Sequence, residues 1–395
     1  MSKTNYLVDK IYPNNIKFYK IKDITKITIG EFIHKNKQSD ESKYPVYNGG
    51  ISNTGFYDEY NNDGKKVIIS ARGANAGFVN RIEGKYWAGN SCYTIDVNDK
   101  NQVDWNYLYY YLKNNQKDIL GAQQTGSIPS ITKKQIEEFK IAIPPIEVQE
   151  EIVKILDKFS ELEAELEAEL EERKKQYDYY KRDLFENIKN VKIKHITDIA
   201  MVKARVGWQR LTRSEYLQDG EYCLITGTDF QSDGHIDFNT CVYVSKERYE
   251  MDKNIQIHKD DILITKDGTL GKVAIIDEEP EKSTTLNSGV FRIKIKNDNI
   301  IPRYIYHYFT SRYFKDFVES VKTGSTIPHL TQQGLITLNI PIPPIEEQER
   351  IVNILDKFDK LVNDTLEGLP AEIELRRKQY EYYRNKLLNF KEVIA

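Results

Sequence analysis

From about Glu147 the apolar residues fall at Ile152, Ile155, Leu156, Phe159, Leu162, Leu166, Leu170, Tyr177, Tyr180 and Leu184. Steps of three and four place them on one stripe of an α-helix. Pro144 and Pro145 stand where such a helix can start, and Glu147, Glu150 and Glu151 occupy its opening turns, where the macrodipole favours acids. The stripe predicts a helix to about Asn187, about 60 Å long at ~1.5 Å per residue. A second stripe runs through Ile351, Ile354, Leu355, Phe358, Leu361, Val362, Leu366, Ile373, Tyr380, Tyr383 and Leu387. Gly368 and Pro370 lie inside it and predict a kink or break. Neither helix can bury its stripe alone. The two are therefore expected to pair as an antiparallel coiled coil, through Ile152, Leu156, Phe159, Leu166 and Tyr180 on one helix and Ile351, Leu355, Phe358, Leu366 and Tyr383 on the other.

Ahead of each helix the pattern changes. Val67–Ser70, Tyr93–Val97, Asp261–Thr265, Lys272–Ile276 and Val290–Lys294 are short β-type runs among Gly and Asn turns. Trp105–Asn114 and Pro302–Phe317 read as helices with Tyr and Phe on one face.

The chain is one unit written twice. Ile143-Pro-Pro-Ile-Glu-Val-Gln-Glu-Glu-Ile-Val-Lys-Ile-Leu-Asp-Lys-Phe159 returns as Ile342-Pro-Pro-Ile-Glu-Glu-Gln-Glu-Arg-Ile-Val-Asn-Ile-Leu-Asp-Lys-Phe358, 199 residues later. Ile128-Pro-Ser-Ile-Thr132 matches Ile327-Pro-His-Leu-Thr331 at the same offset. Arg173-Lys-Lys-Gln-Tyr-Asp-Tyr-Tyr matches Arg376-Arg-Lys-Gln-Tyr-Glu-Tyr-Tyr at 203, so the second copy carries four extra residues, about one helical turn. Weaker echoes reach further back: Asn90-Ser91 with Asn287-Ser288, Tyr107–Tyr111 with Tyr304–Tyr308, and Val67–Gly77 with Ile262–Gly271. Two copies cannot form a solenoid. The repeat points to α+β architecture with internal pseudo-twofold symmetry: two mixed, strand-rich globular domains joined by the two long helices.

Charge fits this division. The 395 residues carry 57 Lys+Arg and 60 Asp+Glu, a formal net charge of -3. Residues 150–183 and 346–386 hold 22 of those acids and only 15 of the bases, leaving the rest with a net of +4. Such a balance permits nucleic-acid binding without demanding it. The seven glutamates of Glu161–Glu172 read as a solvated face or a docking surface. Three scattered cysteines (Cys92, Cys223, Cys241) suit neither a disulfide frame nor a paired zinc site, and a polar N-terminus with no long apolar run predicts a cytoplasmic, soluble protein with no membrane contact. There is no phosphate loop of the Gly-x-x-x-x-Gly-Lys-Ser/Thr type, no His-Glu-x-x-His and no Gly-x-Ser-x-Gly elbow. Nothing singles out a catalytic constellation, and no metal site or cofactor is expected in this chain.

The polar side chains on the glycine turns are the candidate binding residues. Arg72 and Asn75 in the first half, and Lys266, Asp267, Thr269 and Lys272 in the second, flank glycines that let backbone approach a ligand closely. Arg and Asn can grip guanine and adenine edges at two points, and Lys can hold phosphate. Ordinary hairpins with solvated tips fit as well. Ser127 and Ser325, in Thr125-Gly-Ser127 and Thr323-Gly-Ser325, either donate to phosphates or form tight turns.

The doubled Ile-Pro-Pro-Ile-Glu-x-Gln-Glu motif, the doubled Lys-Gln-Tyr-x-Tyr-Tyr and two dissimilar domains before them resemble the specificity subunit of type I restriction-modification enzymes, over essentially the whole chain. The resemblance implies target recognition domains at 1–146 and 191–345, each reading half of a split double-stranded DNA site, and conserved spacer helices at 147–190 and 346–395 that dock two methyltransferase subunits. It implies a non-catalytic subunit. S-adenosylmethionine, ATP and Mg would then belong to the methyltransferase and to two restriction/translocase subunits. The rival readings are a coiled-coil scaffold whose globular ends bind proteins, and a DNA-binding regulator without enzyme partners.

Overall fold

The computed structural model describes residues 16–121, 129–324, 328–364 and 367–390, so Ser127, Ser325 and Leu366 lie outside the described residues. The chain divides into two units, residues 1–165 with 374–395, and residues 166–373.

In the first unit, β1 (Lys17–Lys20) pairs antiparallel with β9 (Lys140–Ile143), and a one-turn helix (Ile21–Ile24) leads into β2 (Thr25–Ile29). The central sheet has the order β2-β8-β5-β6, with β5 at Lys65–Ser70, β6 at Val79–Glu83 and β8 at Cys92–Val97, all antiparallel. A smaller sheet holds β3 (Tyr44–Tyr47) between β4 (Phe56–Tyr57) and β7 (Trp87–Ala88). Behind the central sheet lies the Trp105–Asn114 helix, started by Asp104, whose carboxylate accepts from the Tyr107 N–H. Its Tyr107, Leu108, Tyr110, Tyr111 and Leu112 are buried, in one core with Val67, Ile69 and Ile95 of the sheet. Ile152 and Leu156 of the long helix enter that core, as do Leu387 and Leu388.

The second unit repeats this topology strand for strand. β10 (Lys192–His195) pairs with β18 (Asn339–Ile342), and the central sheet runs β11-β17-β14-β15 at Ala200–Ala204, Val290–Ile295, Ile262–Thr265 and Val273–Ile275. The small sheet holds β12 (Tyr222–Ile225) between β13 (Val242–Val244) and the parallel β16 (Ser283–Leu286). The expected helix over Pro302–Phe317 is instead two, Pro302–Phe309 and Arg312–Val321. Ser311 makes the break: it is buried, and its hydroxyl donates to the Tyr308 carbonyl at 2.6 Å. Aromatic periodicity does not register the break because Phe309 and Phe314 meet across it, 4.7 Å apart.

The first spacer helix is unbroken from Ile146 to Glu186, whereas the second is two helices, Ile345–Asn363 and Leu369–Leu388. Gly368 sits so close to the end of the preceding helix that a Cβ would lie 2.5 Å from the Lys360 carbonyl oxygen. Pro370 falls in the first turn of the next helix, where its missing N–H costs nothing. Within the first unit the pairing is antiparallel: Phe159 stacks on Tyr383 (5.3 Å) and meets Tyr380, and Glu163 pairs with Arg377. Within the second, Tyr177 and Tyr180 stack on Phe358. Ile351 and Leu355 are fully buried, Leu166 is half-buried, and Tyr180 keeps 43% of its surface exposed.

Candidate nucleic-acid interface

The antiparallel order places the end of β5, the starts of β6 and β8 and the end of β2 at the same edge of the first sheet. Polar, glycine-rich loops therefore converge there. The turn after β5 closes through Ser70 N–H to Phe78 O (3.0 Å) and Gly77 N–H to Ser70 O (2.7 Å). It is clamped from outside by Ala71 N–H to Ser91 O (2.8 Å), Ile131 N–H to Ala71 O (2.9 Å) and Gly73 N–H to Pro129 O (3.0 Å). Gly73 lies at φ +89° and a Cβ there would meet nothing within 4 Å, so the turn tip faces open space. Asn48 Oδ1 accepts from the Ser91 N–H, and Gly49 packs against the Arg72 carbonyl so closely that a Cβ would lie 3.2 Å from it.

The second unit builds the same frame. Thr265 N–H donates to Lys272 O and Gly271 N–H to Thr265 O, while Lys266 N–H donates to Gly289 O and Leu330 N–H to Lys266 O, all at 2.9–3.0 Å. Gly268 is at φ +74° with open space before it. In backbone terms Arg72 and Asp267 are the same position, bridged to Ser130 and to His329 respectively.

The side chains on these frames differ. Arg72 is exposed and its guanidinium has no partner among the described residues, and Asn75 lies half-buried on the same turn. Asp267 accepts from His329 Nδ1 at 2.6 Å, and Thr269 is exposed at the tip. Lys266 lies back over the Phe291 ring (5.3 Å to the centroid). Lys272 faces Phe230 O (3.5 Å) and a cavity of about 490 Å³ that Lys181 and Asp359 also line. The structure thus keeps Arg72, Asn75, Asp267 and Thr269 at the rims and draws Lys266 and Lys272 inward. His329 and Asn48 join the rims without having been singled out in the sequence.

A second set of residues fixes each domain to its helix. Gln149, fully buried, donates from Nε2 to Gln102 O (2.9 Å) and Pro144 O (2.8 Å) and accepts from the Asp104 N–H (2.9 Å). Gln348 repeats this with Asn299 O (3.1 Å), Pro343 O (2.9 Å) and Ile301 N–H (3.0 Å). One helical stretch further, Asp157 accepts from Tyr110 (2.6 Å) and Arg81 (3.1 Å). Its counterpart Asp356 takes His307 (2.6 Å) and Arg303 (2.9 Å). Burial pushes the Asp356 carboxyl up, but the His307 and Arg303 hydrogen bonds outweigh it and hold the pKa below the usual range. Burial, with a smaller push from neighbouring cations, pulls His307 down and brings Lys181 to about 8, while the Lys181 ammonium donates to Tyr177 Oη (3.0 Å) and Thr310 Oγ1 (2.7 Å). Both pairs, Gln149/Gln348 and Asp157/Asp356, sit inside the repeated motif as polar residues bordering an apolar stripe, which is the signal that marks them.

Each unit thus combines a glycine-turn rim with a helix fixed to its domain by a buried glutamine. The family description "Type I restriction modification DNA specificity domain" matches residues 13–172 and 188–375. The chain belongs to this family, as a type I restriction-modification specificity subunit. A Haemophilus influenzae protein assigned as a type I restriction enzyme specificity subunit is 33% identical over 358 residues, 87% of this chain and 88% of its own length. The EcoR124I/EcoR124II specificity subunit of Escherichia coli is 33% identical over 316 residues, 74% of this chain and 72% of that one. The fold is that of the M. genitalium type I S subunit crystal structure (TM-score 0.62, 19% identity, 97% of this chain and 98% of that chain). Among the described residues no helix is long and apolar enough to cross a membrane.

Proposed function

We propose that each unit reads one half of a bipartite, asymmetric double-stranded DNA site through its glycine-turn rim, and that the spacer helices set the gap and dock two methyltransferase subunits. The observation that carries this reading is the pair of rims with matching backbone hydrogen bonds and different side chains: one frame presenting two readers. A protein-binding scaffold gives no reason for that combination. On this reading the chain is non-catalytic. Methylation with S-adenosylmethionine, and ATP- and Mg-dependent cleavage where restriction subunits join, belong to partner chains in the cytoplasm.

The test is single-molecule methylation sequencing of DNA from cells expressing this chain, its candidate methyltransferase, or both. A bipartite modified motif that needs both proteins is expected. An active, soluble complex that modifies no bipartite motif would sink the proposal in favour of a scaffold or a regulator.

A further inference from the structure

We infer that the equivalent positions 72 and 267 each specify one base pair of the two half-sites, Arg72 by gripping a guanine and Asp267, held by His329, by accepting from a cytosine amino group. The inference rests on the DNA-reading function proposed above and assigns its chemistry.

Three observations converge. First, the two positions share one backbone frame. The residue before each donates to the link preceding the long central strand (Ser91 O, Gly289 O) and accepts from the segment leading to the spacer helix (Ile131 N–H, Leu330 N–H). If one turn meets DNA in a given pose, its counterpart presents the same position to the other half-site. Backbone fixed from both sides also orients a side chain before any ligand arrives, which is what discrimination between bases requires.

Second, the groups are available. Arg72 is exposed, and its five donors engage nothing among the described residues. An unpaired guanidinium beside an open-faced glycine can close bidentately on O6 and N7 of guanine in the major groove.

Third, Asp267 has the wrong sign for phosphate. A carboxylate at the rim of a DNA reader is repelled by the backbone, so the base contact it suits is an amino donor; cytosine N4 fits better than adenine N6, whose neighbouring N7 acceptor repels a carboxylate. Its Oδ1 is held by His329 Nδ1, while Oδ2 has no hydrogen-bond partner among the described residues. His329 is itself fixed by two backbone bonds with Thr323, at 2.9 and 2.8 Å. The pair therefore offers one oriented acceptor, and the carboxylate keeps the Nδ1–H tautomer in place.

The experiment compares methylated motifs in cells carrying the candidate methyltransferase with the unaltered chain, Arg72→Ala, Arg72→Lys, Asp267→Ala or Asp267→Asn. Arg72→Ala is expected to relax one G·C pair in one half-site, with preference at that pair falling on the order of 10–100-fold, and to leave the other half unchanged. Asp267→Ala is expected to do the same at one pair of the other half, and Asp267→Asn to move preference there toward adenine, which Asn grips at N6 and N7. The unaffected half-site reports that each variant is folded and assembled.

A bipartite motif that survives both alanine variants unchanged overturns the assignment while leaving the DNA-reading function standing. Equal weakening at every position in Arg72→Ala, with Arg72→Lys restoring it, also overturns the assignment, because that is the behaviour of a phosphate contact. Absence of any bipartite motif with the unaltered chain overturns both.

Discussion

Replacing Gln149 or Gln348 by Ala tests whether the brackets hold domain and helix together. Each amide makes three hydrogen bonds, all to main chain, from a fully buried position. Truncating Gln149 strands the carbonyls of Gln102 and Pro144 and the N–H of Asp104, the residue that starts the Trp105–Asn114 helix. A buried group left without its partner costs about 1–3 kcal/mol, and three together, partly relieved by water entering the gap, cost about 3–5 kcal/mol. For a unit near 200 residues, each kcal/mol moves the melting midpoint by about 2–4 °C, so a fall of about 6–20 °C is expected. Gln149→Met and Gln348→Met keep the volume and remove only the bonds, separating hydrogen bonding from packing. Differential scanning calorimetry of the whole chain reads all four variants. Because the two brackets have the same geometry, their costs should agree within about 1 kcal/mol, the spread of a hydrogen bond's net contribution. Met variants that melt with the parent, or a large loss at one bracket and none at the other, would refute the reasoning.

Asp356→Ala leaves His307 Nε2 without a partner in a fully buried ring and should cost about 2–4 kcal/mol by urea unfolding, with Asp356→Asn recovering part of it. Lys181 is held at about 8 in the folded chain against an ordinary 10.5, so between those values the unfolded chain binds the extra proton and stability rises with pH. Urea midpoints at pH 7.5, 8.5 and 9.5 should show that rise in the unaltered chain, and a flatter profile in Lys181→Met. Gly30→Ala would put a Cβ 2.1 Å from the Ala88 carbonyl oxygen, a backbone clash that should destabilise the first unit by about 1–3 kcal/mol or more. Its methylation readout should lose one half-site's discrimination while keeping the other's.

Much of the architecture was legible because helical stripes and repeats are local signals. The Ile146–Glu186 helix, the break near Gly368 and the strands over Val67–Ser70 and Tyr93–Val97 follow directly from spacing. Side-chain destinations do not. Lys266 and Lys272 stand on the same turn as Asp267 and Thr269, yet they turn to Phe291 and Phe230, partners contributed by other strands and loops. Arg81 and Asp157 meet across 76 residues, and Gln149 and Gln102 across 47, so no window of sequence joins them. The rims are intermediate: glycines announce the turns, but Arg72 and Asp267 become one position only through the backbone bonds to Ser91, Gly289, Ile131 and Leu330.

The brackets have an evolutionary reach. Gln149 and Gln348 grip carbonyls and N–H groups that every residue possesses, at Gln102 and Asp104 in one unit and at Asn299 and Ile301 in the other. The junction is thus a socket that senses the path of the incoming chain and ignores its side chains. Two heads of widely diverged sequence already fit it. A recognition domain can drift, or be exchanged for another, without any compensating change in the helix that carries it, provided the loop before its aromatic helix keeps its course.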